Sequence, residues 1–106
     1  MNIFQYLTNK FYSMTVSDKQ YVLHEPLIRK YKTLKGKSRT TIRSFLELND
    51  LDFIMIDSND KVVDVGLDAY HPRKYKILIG VDSIISVDQL VTMLENSYNQ
   101  DLANNN

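Results

Sequence analysis

The sequence has no cysteine, which excludes disulfides, thiol nucleophiles and Cys-ligated zinc together. Stability has to come from packing. Three glycines and two prolines argue against a collagen-like, fibrous or low-complexity chain. The fragment Gly36-Lys37-Ser38 invites a phosphate-loop reading, but Tyr31 stands where a Walker loop needs its first glycine. That motif fails. Long apolar runs are also missing. The longest, such as Phe53–Ile56 and Ile77–Gly80, fall far short of the roughly 20 residues of a transmembrane helix. The opening stretch Met1–Met14 carries neither a basic leader before an apolar core nor a small-residue cleavage site, so it does not read as a signal peptide. A cytoplasmic protein that does not enter membranes is expected.

An excess of either charge sign is missing too, with 13 basic and 13 acidic residues. The zero sum hides an uneven distribution. Seven basic residues lie between Arg29 and Arg43, and positions 26–46 contain no acid. Seven acids then follow between Glu47 and Asp68, interrupted only by Lys61. A second basic patch spans His71–Lys76. Such a chain can fold into a strongly dipolar surface.

What is present suits a globular domain: 43% hydrophobic and 10% aromatic residues in 106. One domain over residues 1–98 is expected, with 99–106 as a frayed polar tail. Residues 2–13 have the spacing of an amphipathic helix, with Ile3, Phe4, Leu7, Phe11 and Met14 on one side and Gln5, Thr8 and Asn9 opposite. Thr15–Lys19 reads as a turn. Gln20–His24 fits either a short strand or a helical turn capped by Ser17. Pro26 suits the first turn of a helix from Glu25 to Leu34, which puts Leu27, Tyr31 and Leu34 on one side and ends at Gly36. Ser38 or Thr40 can cap the next helix, which runs to Leu48 with Ile42, Phe45 and Leu46 on one face. Strands are expected near 53–57, 61–66 and 74–79, the first two joined through Ser58-Asn59-Asp60. Ser86 opens a last helix, with Gln89 in the capping-box position and Val87, Leu90, Val91, Leu94 and Tyr98 as its buried stripe. The fold class is therefore α+β: a helical N-terminal half, a small antiparallel sheet with a β-hairpin, and a C-terminal helix packed on the sheet. So few strands leave an edge that a homodimer would close.

The run Ser38-Arg39-Thr40-Thr41-Ile42-Arg43 and the strand after its helix resemble the winged helix-turn-helix superfamily, over about residues 2–66. That resemblance implies DNA binding. Arg39, Thr40, Arg43 and Ser44 would face a major groove. Lys30, Lys32, Lys35 and Lys37 would contact phosphates, setting affinity and salt dependence. Tyr31 would either pack inward or donate to a phosphate. Two departures stand out. The connection between the helices, Lys32–Ser38, is longer and more charged than a tight turn. The expected wing carries Asp57, Asp60 and Asp64, which phosphate would repel.

His71, Arg73, Lys74 and Lys76 form a secondary basic loop that suits an anion. His24 and His71, the only histidines, lack further ligands at zinc spacing. The aspartates from Asp50 to Asp68 do not follow a calcium-loop pattern, and no carboxylate pair is singled out for acid–base work. Neither a catalytic residue, a metal nor a cofactor is indicated. The leading expectation is a non-enzymatic, DNA-binding regulatory module. The alternative is a small protein-binding inhibitor or regulator, of the kind phages and mobile elements carry, acting on a host protein. Its acidic face and the tyrosines Tyr70 and Tyr75 would meet that partner.

Overall fold

A turn built without glycine makes the first hairpin. Ser17 and Asp18 hold φ values of 50° and 65°, the left-handed geometry that a two-residue hairpin turn requires. Strand β1 (Ser13–Val16) thereby pairs antiparallel with β2 (Lys19–Leu23), Val16 opposite Lys19. The helix expected over residues 2–13 accordingly stops at Lys10 as α1 (Ile3–Lys10). Met14, read as the end of its apolar stripe, belongs to β1. The buried side of α1 is also shifted: Tyr6 and Leu7 are buried, whereas Phe4 is 37% exposed.

The computed structural model describes residues 3–36 and 39–104, and the side chain of Leu34 lies outside that description. After β2 come α2 (His24–Lys35) and α3 (Ile42–Leu48). Strands β3 (Phe53–Ile56) and β4 (Val62–Val63), a 3-10 turn (Leu67–Ala69) and β5 (Lys76–Gly80) follow. The chain then forms α4 (Val81–Ile85) and α5 (Asp88–Asn104). The architecture is α+β, and the sheet runs β1-β2-β5-β3-β4 with every pairing antiparallel.

Local chemistry explains most boundaries. Pro26 sits in the first turn of α2, and Gly36, at φ 63°, donates its N–H back to the Lys32 carbonyl to end it. In the β3–β4 turn the Asp57 carboxylate accepts from the N–H groups of Asn59 and Lys61 at 2.8 and 3.0 Å. Asp60 takes the left-handed position at φ 62°. These aspartates shape a turn. The expected strand 61–66 pairs only through Val62 and Val63, after which the chain leaves the sheet. Ser86, expected to open the last helix, instead ends α4, and its hydroxyl donates to the Ser83 carbonyl at 2.7 Å.

The sheet has two apolar faces. On one, Val22 and Phe53 flank Ile79, and Met55 lies opposite Ile77. These side chains join Leu7, Leu27, Tyr31, Phe45, Leu90 and Leu94 in the main core. On the other, Tyr21, Ile56 and Leu78 gather Met14, Val16 and Ile54 around them. The sheet is curled, and Ile56 and Leu78 are fully buried. Complete burial of such a side chain contributes roughly 1.5–3 kcal/mol.

Helix α5 packs against α1, α2 and α4. Near its end the Tyr6 hydroxyl donates to Asp101 at 2.8 Å, Lys10 approaches the same oxygen at 3.4 Å, and the Tyr6 and Tyr98 rings meet edge-on at 5.3 Å. The polar tail expected from residue 99 is thus helical to Asn104. Burial first, then the Asp101 bond and charge, push the Tyr6 phenol up to about 12.

Candidate nucleic-acid interface

The two helices that carry the first basic segment meet through their apolar sides. The rings of Tyr31 in α2 and Phe45 in α3 pack edge-on at 5.0 Å, and Tyr31 is only 3% exposed. Tyr31 therefore packs inward. Above this contact lies an open cavity of about 790 Å3 lined by Tyr31, Gly36, Arg39, Thr40, Ser44 and Glu47, with Leu48 at its side. The structure thus brings Arg39, Thr40 and Ser44 together.

The N-terminus of α3 is fixed by Thr41, not by Thr40; Ser38, the other expected cap, lies outside the described residues. Thr41 Oγ1 accepts from the Ser44 N–H at 3.1 Å, and Ser44 Oγ accepts from the Thr41 N–H at 3.0 Å. This reciprocal box satisfies two helix-end donors. It also commits the Ser44 hydroxyl to the backbone, away from any base edge. Removing the cap with Thr41→Ala is expected to cost about 0.5–2 kcal/mol in urea denaturation. A loss indistinguishable from zero would mean that Thr41 does not hold this helix.

Arg43 is exposed on α3 and forms an ion pair with Asp68 of the 3-10 turn. Asp68 opens the connection that carries the second basic patch. Within it the His71 carbonyl accepts from the N–H groups of Lys74 and Tyr75 at 2.9 Å, and His71 Nδ1 accepts from the Arg73 N–H at 3.2 Å. His71, Arg73 and Lys74 are exposed. Lys76 belongs to β5, with its ammonium 5.7 Å from the centre of the Tyr12 ring.

The α2 lysines do not converge. Lys30 and Lys32 project about 200° apart around the helix axis. Lys30 turns toward α5, in a cavity shared with Ser97 and Gln100. Lys35, at the end of α2, shares a cavity of about 480 Å3 with Asp50 and Asp88. Lys37 lies outside the described residues.

Sequence reasoning missed Asp68 as the partner of Arg43, because ion pairing across 25 positions leaves no local pattern. It also missed Leu48, which is 66% exposed beside the cavity. The apolar spacing of α3 placed Ile42, Phe45 and Leu46 together and left Leu48 without a role. Among the described residues no three His, Asp or Glu side chains gather as metal ligands would. No helix among them is long and apolar enough to cross a membrane. Comparison with protein-family models, curated proteins and solved structures finds no match.

Proposed function

We propose that the protein is a small regulatory module that binds the phosphate backbone of duplex DNA. The interface comprises α3, the connection before it and the basic connection between β4 and β5. The Arg43–Asp68 pair carries this reading, because it shows α3 lying beside the connection bearing His71, Arg73 and Lys74. Two basic stretches that are distant in the sequence are thereby joined at one contact. Arg43 has donors left over after pairing, since a guanidinium offers five N–H groups.

The contacts are of the positioning kind rather than base-reading. Ser44 is held by its cap, and α3 has only seven residues. The α2 lysines point elsewhere, so Arg39, Arg43, Arg73 and Lys74 are the residues assigned to phosphate. Their number bounds the salt dependence: about four contacts give a log–log slope of roughly −3.6.

Fluorescence anisotropy of a labelled mixed-sequence duplex at two salt concentrations tests this. The Arg39→Ala/Arg73→Ala/Lys74→Ala protein is expected to bind at least about tenfold more weakly and to reduce the salt slope by about 2 to 3. Circular dichroism should show an unchanged fold, since all three side chains are exposed. Absence of binding at low salt, or equal binding by the variant, defeats the proposal. The same result favours a protein partner, for which exposed Leu48 beside the cavity is the natural apolar contact.

A further inference from the structure

The groove between α2 and α5 contains a cavity of about 260 Å3 lined by Arg29, Lys30, Thr33, Ser97 and Gln100. Helix geometry puts these residues in register. Positions three and four apart share a helix face, which aligns Arg29 and Lys30 with Thr33 and aligns Ser97 with Gln100.

Ser97 is the unusual member. It is 7% exposed, yet its hydroxyl makes no hydrogen bond with any described residue. A helical serine or threonine commonly bonds the carbonyl one turn back, as Thr8 and Thr33 do here with Phe4 and Arg29. Among the described residues no side-chain oxygen is both sealed from solvent and unpartnered. The Ser97 hydroxyl therefore keeps a small opening, and the space beside it is this cavity.

The cations are not locked in ion pairs. Neither Arg29 nor Lys30 forms an ion pair with a described residue. Asp101 is the nearby acid on α5; it accepts from Tyr6 and pairs with Lys10, and it feels the Lys30 charge without an ion pair. Two cations, an unpartnered hydroxyl and an amide thus line an open space with room for a tetrahedral oxyanion and several waters.

We propose that this cavity binds a small oxyanion of the phosphate class, held by the Arg29 guanidinium, the Lys30 ammonium, the Ser97 hydroxyl and the Gln100 amide. Thr33 donates nothing to it, because its proton is committed to the Arg29 carbonyl. The site lies on the flank of α2 that faces α5. It shares no residue with the surface assigned to DNA, so either proposal can fail without the other.

Titration of the 15N-labelled full chain with sodium phosphate, against sodium chloride at matched ionic strength, tests it by NMR. Saturable shifts are expected at Lys30, Ser97 and Gln100 with phosphate alone. Lys30→Gln and Ser97→Ala should each raise the apparent Kd by about tenfold, the scale of one charge-assisted bond. Without phosphate, Ser97→Ala should melt within about 2 °C of the parent protein, since no internal bond is lost. A parallel titration with glycerol 3-phosphate separates the sources. Tighter binding than inorganic phosphate assigns the site to the end of a larger molecule, and equal binding assigns it to the free ion. Shifts that never saturate, or an unchanged Kd in Lys30→Gln, overturn the proposal. So does a Ser97→Ala protein that melts far lower, because Ser97 would then be a packing residue.

Discussion

Phe45→Ala is expected to destabilise the protein by about 3–5 kcal/mol, the range for removing a buried phenylalanine. The reason lies in how α3 is held. Seven residues make two turns, too few to persist as a helix without tertiary support. That support is Phe45 and Leu46, 1% and 3% exposed. Phe45 also meets Tyr31 edge-on, a contact worth about 0.5–1.5 kcal/mol beyond area burial. Truncation therefore removes both the packing and the ring pair. The open cavity on the other side of Tyr31 gives the neighbourhood room to relax, which favours the lower half of the range. Urea denaturation at neutral pH measures the loss, with Arg39→Ala as the exposed control, expected within about 0.5 kcal/mol of the parent. A Phe45→Ala loss under about 1 kcal/mol would show that α3 does not depend on this anchor. The effect also reaches function. Arg43 rides on α3, so a loosened helix should weaken its pair with Asp68, and with it the DNA binding proposed above, even while the sheet remains folded.

The elements with side-chain periodicity and a cap were legible from the sequence. Pro26, the Leu27 and Tyr31 spacing and Gly36 define α2 closely, and the apolar runs of β3 and β5 announce buried strands. The first hairpin was legible only in part: its turn and one of the two readings of Gln20–His24 match, but β1 was missed, for a specific reason. Its turn uses Ser17 and Asp18 at positive φ instead of glycine or asparagine, so the strongest hairpin signal is missing. Phe11 and Met14 meanwhile continue the helical spacing of α1 and conceal the change of period at Ser13. Helix α4 was hidden by length, since five residues are too few to show periodicity. Its terminal Ser86 looks like the N-cap of the helix that follows.

The candidate sites were legible as charge but not as geometry. A sequence shows that Arg29 to Arg43 is basic. It does not show that Lys30 turns to α5 while Arg43 turns to Asp68. Those directions follow from the helix packing that Tyr31, Phe45 and Leu94 impose through the main core. Ser97 carried no signal at all. It sits among polar residues of α5 and acquires meaning only when α2 packs against it. Capping and turn chemistry act within a few residues and can be recognised locally, whereas an anion pocket between helices forms only in the assembled fold.

His24→Gln should destabilise the protein by about 1–3 kcal/mol at pH 7.5, and the difference should shrink as the pH falls. His24 begins α2 and is 6% exposed. Its Nδ1 lies 2.9 Å from the Ile77 carbonyl, and a carbonyl can only accept, so Nδ1 carries a proton. The imidazole edge meets the Tyr70 ring at 6.2 Å between centres. One side chain thereby ties the start of α2 to β5 and to the basic connection. Burial lowers its pKa below the ordinary 6.5, more strongly than the Ile77 bond and the Glu25 charge raise it. Above 6.5 the imidazole is neutral in both states, and its full contribution is present. Below 6.5 the unfolded chain takes up a proton that the folded protein resists, so stability falls with pH until the folded group also titrates. Asp101 acts in a different window. The Tyr6 hydrogen bond, opposed by burial and aided by Lys10 and Lys30, holds its carboxyl below the ordinary 3.8. Its contribution is lost only as the pH drops beneath that value. Urea midpoints of the parent and His24→Gln at pH 7.5, 6.0 and 5.0 separate the two. The parent should lose stability across this range while the variant changes less. A constant gap between them at all three values would mean that His24 fixes the α2–β5 junction by shape alone, with no proton-linked component.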